Sequence, residues 1–173
     1  MGFVNDTHMS QFIPASAIAR SAGTWTPTIA SNLTSDVRTA NDSSFTLLIP
    51  VPVPSNASTL KGAYLKSIDV FYKIATADAD DFASVALDKI TLPVPAAATG
   101  SAFTGASVAI TQDAYHDSAA ERKAIGNHTM TVSLSAPTWV DDNDAYMLSC
   151  VVDAAATTAF SLYGARANYT LRV

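Results

Sequence analysis

The run His128-Thr-Met-Thr-Val-Ser-Leu-Ser135 alternates apolar and polar residues without a fault. Met130, Val132 and Leu134 fall on one parity, with Thr129, Thr131, Ser133 and Ser135 on the other. Side chains change face at every residue of a strand, so this segment reads as a strand with one side in a core and one in water. Beyond Pro137, Trp139 and the acidic Asp141-Asp-Asn-Asp144, a second row appears: Tyr146, Leu148, Cys150 and Val152 share a parity within Ala145–Asp153. Two such runs joined by turn-rich residues predict an antiparallel pair.

The same period organises most of the chain. A polar arm is expected over residues 1–11, with residues 12–173 forming one domain. Gln11–Ser16 predicts a short first strand, and Thr24–Ile29 an edge or extended segment because Pro27 lies inside it. Asn32–Asp42 reads as a turn-rich connection. In Ser44–Pro54, Phe45, Leu47, Ile49, Val51 and Val53 share one face, while Pro50, Pro52 and Pro54 take the other parity. Amides two residues apart point to the same side of a strand, so these prolines strip donors from one lateral edge only. That edge is left to solvent or to another subunit.

Leu60–Ala77 predicts a long strand, with Tyr64, Ile68, Val70, Tyr72 and Ile74 on one parity. Phe82–Leu92 and Ala106–Thr111 are further strands, separated by the low-complexity loop Pro93–Gly100. Ser118-Ala-Ala-Glu121 is a capping box opening one or two helical turns, with Gly126 as their terminator. In Thr157–Val173 the inward row changes parity at Gly164, as a bulge requires. With about eight or nine strands, one short helix and no crossover helices, the expected fold is an all-β antiparallel sandwich of jelly-roll type.

Composition narrows the function. Charged residues make up 14% of the chain, against ~25% in ordinary domains, and Glu121 is the only glutamate. A net charge of −5 with no Lys/Arg cluster argues against nucleic acid as a partner. No apolar run approaches the ~18 residues of a membrane span. Cys150 stands alone on an apolar row, so it reads as a buried hydrophobe rather than a reactive thiol. The N-terminal residues lack a basic-then-apolar pattern, so synthesis in the cytoplasm without a signal peptide is expected.

Chemistry-bearing motifs are sparse. The histidines are His8 in the arm, His116 beside Asp113 and Asp117, and His128 at the head of its strand. Neither a Gly-x-Ser-x-Gly elbow nor a His-Glu-x-x-His pair occurs, and no catalytic residue is assigned. Asp78, Asp80 and Asp81 form one acidic turn, and Asp141, Asp142 and Asp144 another. Such carboxylates ordinarily satisfy turn backbone, and calcium is the one cofactor for which they supply suitable oxygens. Asn5, Asn32, Asn41, Asn56, Asn127 and Asn168 each begin Asn-x-Ser/Thr, where turn chemistry competes with glycosylation. Trp25 and Trp139 lie near strand ends, as plugs of the sandwich or as platforms for a sugar or a protein.

The low-charge Thr/Ser/Ala/Val strands, the Pro50–Pro54 strand, the Trp139–Asp144 turn and the closing Leu162-Tyr-Gly-Ala-Arg-Ala-Asn-Tyr-Thr-Leu171 together resemble single-domain jelly-roll virion proteins of tailed bacteriophages. The similarity is to the capsid-decoration, minor-capsid or tail type. It implies a non-enzymatic protein of a virion or extracellular assembly, without cofactor. Such a protein forms a homo-oligomer, a trimer foremost, and contacts a protein lattice such as a capsid or tail. The contact elements expected here are residues 1–15 with Phe12 and Ile13, the edge at Pro50, Pro52 and Pro54, and the loop 93–104. The alternative is a carbohydrate- or receptor-binding sandwich, an adhesin or tail-tip module, using Trp25, Trp139 and the acidic turns.

Overall fold

A computed structural model describes residues 6–55, 62–92 and 104–172. Twelve strands form two antiparallel sheets packed face to face. The strands are β1 (Asp6–Pro14), β2 (Ala19–Arg20), β3 (Trp25–Ala30), β4 (Leu33–Arg38), β5 (Ser43–Val51), β6 (Gly62–Ala75), β7 (Asp81–Thr91), β8 (Thr104–Val108), β9 (Ile110–Gln112), β10 (Gly126–Trp139), β11 (Asp144–Ala154) and β12 (Ala159–Arg172). One helix, α1 (Ala119–Lys123), and a 3-10 turn at Ala15–Ala17 complete the described elements.

The first sheet runs β3-β4-β12-β6-β10-β9, with β1 also paired to β12, and the second runs β2-β5-β11-β7-β8. With β8 and β9 counted as one strand, the eight strands from β4 onward fall in the order 1-8-3-6 in one layer and 2-7-4-5 in the other. That order is two Greek keys folded together, a jelly roll. Two segments cross between layers at the flanks. β8 pairs with β7 and β9 with β10, so this strand changes sheet at Ala109. On the other side the 3-10 turn carries the chain from β1 on β12 to β2 on β5.

The apolar rows read from the sequence meet between the layers. Met130, Val132 and Leu134 are buried from one side, and Tyr146, Leu148, Cys150 and Val152 from the other. β10 and β11 are therefore not partners: β10 pairs with β6 and β9, and β11 with β5 and β7. Alternation specifies a buried face, and facing a row across a core satisfies it as well as lying beside one.

Other expectations shift for stated reasons. β1 occupies most of the expected arm, because Asp6 onward pairs in register with β12. β4 falls in the expected connection; its inward row is Asp36 and Arg38, charged residues that conceal the pattern, yet Arg38 is 1% exposed. In β6 the register slips past Lys66, so Ala63 and Leu65 face inward and Tyr64 outward before Ile68 resumes the core row. Gly126 opens β10, and α1 ends instead at Ala124, whose N–H donates to Glu121 O. The capping box at Ser118 and Glu121 forms as read, and the β12 register slips between Leu162 and Gly164 as the parity change requires.

Candidate functional site

On the outer face of the first sheet lies an open trough of about 850 Å³. Phe71 and Tyr163 line it together with Arg166, while Phe12 and Pro14 of β1 and Leu33 of β4 line its sides. The trough exists because β1 and β4 compete for one edge of β12. β4 pairs only with Phe160–Leu162, and β1 takes over from Gly164. The β3–β4 hairpin therefore projects beyond its partner. Its two-residue turn holds Ser31 and Asn32 at φ 48° and 67°, the left-handed pair that gives a tight hairpin. Ile29 is 78% exposed on this hairpin, Leu33 is 55% exposed, and Phe12 across the trough is 58% exposed.

The neighbouring outer surface is a fixed polar network. Asp69 Oδ1 accepts from Thr131 Oγ1 at 2.8 Å. Its Oδ2 accepts from Arg166 Nη2 at 2.7 Å and from Asn168 Nδ2 at 2.9 Å. Arg166 also lies over the Phe71 ring, 5.6 Å from its centroid. Arg20 pairs with Asp36 and donates to Ala15 O, anchoring the 3-10 turn beside the hairpin.

The residues expected to make contacts divide. Phe12 is exposed, whereas Ile13 is 2% exposed and belongs to the core, because it takes the inward parity of β1 opposite Ala165. Pro50 is half-buried, and Pro52 and Pro54 are exposed. Thr46, on the same parity, receives Ser21 N–H at its carbonyl and donates its own N–H to Ser21 Oγ. The prolines thus lack donors on the lateral edge that β2 covers only at Leu47 and Leu48. Since β1 leads through the 3-10 turn into β2, β1 and this proline edge lie on one flank of the sandwich. Residues 93–103 of the expected contact loop lie outside the described residues, as do Asn5 and Asn56. Asn32 occupies the hairpin turn, Asn41 follows β4, and Asn127 and Asn168 are in strands.

Trp25 packs edge-on against Phe45 at 5.3 Å and Phe160 at 6.1 Å, and its Nε1 donates to Ala22 O. It plugs one end of the core. Trp139 sits between Tyr64, at 5.0 Å, and the Arg172 guanidinium, at 4.8 Å, which Asp6 holds from the other side. Phe160 and Arg172, their respective neighbours, stand at opposite ends of β12, so the tryptophans share no surface.

The acidic turns are likewise apart, Asp81 opening β7 and Asp144 pairing with Thr91 at its close. Asp78 Oδ1 accepts from Ile125 N–H, and Lys123 donates to Asp80 O. Asp144 pairs with Lys89 at 2.7 Å and accepts from Thr91 Oγ1. A hydrogen bond between the adjacent carboxyls holds Asp141 below and pushes Asp142 above the ordinary carboxylate value. Among the described residues, no three His, Cys, Asp or Glu side chains converge on one point.

A fourth cluster carries the least ordinary chemistry. His116 lies in the loop between β9 and α1 and is buried there. Its Nδ1 lies 2.8 Å from Asp113 Oδ1, and its Nε2 lies 3.1 Å from Nδ1 of His128. His128 Nε2 donates to Ala124 O at 2.9 Å, and its ring stacks on Tyr72 at 4.6 Å. Burial would raise the Asp113 carboxyl, but the Thr131 N–H, His116 and the Tyr115 N–H together hold it below the ordinary value. Burial lowers the His128 imidazole; the Ala124 carbonyl pulls it up, and His116 adds to the lowering. The available signal was parity: His128 shares the inward row of Met130, and Asp113 precedes His116 by three residues. No protein-family model matches this chain, and no curated protein matches it significantly in sequence.

Proposed function

We propose that the protein is a non-enzymatic structural component of a virion or surface assembly, of capsid-decoration or minor structural type, acting through protein–protein contacts. The observation that carries this reading is the exposure of Phe12 and Leu33 along the trough, with Ile29 exposed on the other face of the same hairpin. Apolar side chains of this size, held on a tight hairpin and a paired strand, keep a fixed shape for a partner to bury. The low charge of the chain agrees, since few ionic groups need desolvating in a permanent contact. The proline edge of β5 on the nearby flank limits stray strand addition while leaving an apolar surface for packing.

Homo-oligomerisation, a trimer foremost, is the first contact this surface serves, and a protein lattice the second. Light scattering on the eluting protein is expected to give a stable oligomer at micromolar concentration. An Ile29→Ser/Leu33→Ser variant is expected to dissociate it while keeping the β-sheet circular-dichroism spectrum. A wild-type protein that stays monomeric up to hundreds of micromolar, and that binds no particle surface, would refute the reading.

A further inference from the structure

The facing ring nitrogens of His116 and His128 stand 3.1 Å apart, and the partners of the two outer nitrogens dictate what lies between them. Ala124 O can only accept, so His128 Nε2 carries a proton. The Asp113 carboxylate also accepts, so His116 Nδ1 carries one. Were both rings neutral, two bare lone pairs would point at each other at hydrogen-bond distance. Were both rings fully protonated, two N–H groups would collide. Only a single additional proton satisfies the contact.

We propose that His116 and His128 hold one proton between them, His116 Nε2 donating to His128 Nδ1, and that this proton clamps the 113–125 segment onto β10. The charge order is then Asp113 carboxylate, His116 imidazolium, neutral His128 and the Ala124 carbonyl. The proton sits on His116 because the negative charge touches that ring, whereas His128 faces only a carbonyl and the Tyr72 ring.

The carboxylates around the pair favour a cation on His116, and the Arg122 guanidinium opposes it. Asp113 follows β9, and its Oδ2 is also fixed by the Thr131 N–H of β10. From the segment itself come Asp117, Glu121, which is held by Ser118, and Arg122, whose Nη1 donates to His116 O and Nη2 to Phe82 O. From β6, Tyr72 donates its hydroxyl to Arg122 O, and beyond it on β11 is buried Cys150. The segment carries Tyr115, 82% exposed, and Ile125, so the proton state fixes the position of a surface element at this end of the sandwich. Raising the pH removes the shared proton, and lowering it far enough adds a second; either event opens the contact.

The test is nitrogen NMR of the imidazoles in the uniformly 15N-labelled full chain from about pH 5 to pH 9, with exposed His8 as the reference ring. Expected are protons on both nitrogens of His116 and on Nε2 alone of His128. With rising pH, His116 should lose its Nε2 proton while exchange of the Tyr115 and Arg122 amides, corrected for intrinsic pH dependence, accelerates at least about tenfold. A proton on Nδ1 of His128 while Nε2 of His116 is bare, two bare facing nitrogens at every pH, or a spectrum changed by a chelator, which would place a metal there, would each overturn the assignment. His128→Phe keeps the ring on Tyr72 and removes the acceptor. Its segment exchange should be flat with pH, and persistent pH dependence would equally overturn it.

Discussion

Gly164 is where the pairing of β1 can be tested most sharply. Its φ of 134° lies where side chains are strongly disfavoured, and a Cβ there would fall 2.4 Å from Ile13 O and 2.9 Å from Phe12 Cζ. Gly164→Ala therefore forces one of two responses. If β1 holds its place, the backbone strain alone costs about 1–3 kcal/mol, and the carbonyl contact adds to it. If β1 withdraws, Ile13 leaves the core, a loss of about 1.5–3 kcal/mol by burial, together with the Asp6–Arg172 pair at the strand's far end. The cheaper response sets the result, so destabilisation of about 2–3 kcal/mol is expected, a fall in Tm of roughly 4–12 °C for a chain of this length. Urea denaturation measures the energy, and hydrogen exchange of residues 7–13 reports which response occurs. Gly105→Ala is the control: nothing lies within 4 Å of its added Cβ, and a change within about 0.5 kcal/mol is expected. If Gly164→Ala is as mild as the control and residues 7–13 stay protected, β1 is not seated against β12 as described.

The folded His128 imidazole sits below its ordinary value of 6.5, so the unfolded chain takes up this proton at higher pH than the native protein does. Protonation of this ring therefore removes stability as the pH falls below about 6.5; between about pH 6.5 and pH 5 the denaturation midpoint of wild type should fall relative to that of His128→Phe, and midpoints that stay parallel over that interval would contradict this. Burial pushes the Cys150 thiol up to about 12, so a thiol reagent at pH 8 should label it only as fast as the protein opens. Labelling at the rate of a free thiol without denaturant would mean that the β11 row is not closed. Lys89 already neutralises Asp144, and Asn143 donates to both Asp141 and Asp142. Calcium and EDTA are therefore expected to leave Tm within about 1 °C of its starting value, and a calcium-dependent rise would show that the acidic turns rearrange around an ion.

What was legible in the sequence is what periodicity can encode. Rows such as Phe45-Leu47-Ile49-Val51 fixed the inward faces, Pro27 marked an edge strand, and the parity change at Gly164 marked a bulge, because each is a local property of backbone geometry. β4 was illegible because its inward residues, Asp36 and Arg38, are charges whose partners Arg20, Asn41 and Ser43 come from other segments. β1 was legible only in its last residues, Gln11–Pro14, for a related reason: of its nine residues only Ile13 is buried, so the order of Asp6–Ser10 comes from backbone pairing with β12, which leaves no mark on side-chain pattern. The His116–His128 contact escaped because one residue reads as loop and the other as strand, and only the fold brings Nε2 of one to Nδ1 of the other. The pairing of β10 with β6, and not with β11, is the deepest case. A buried row states that something apolar lies opposite, and in a two-layer sandwich that something can be the strand beside it or the sheet above it. The choice is made by the whole chain. β11 fits between β5 and β7, and β10 between β6 and β9, so placing either beside the other would leave two unpaired edges in the middle of the sheets.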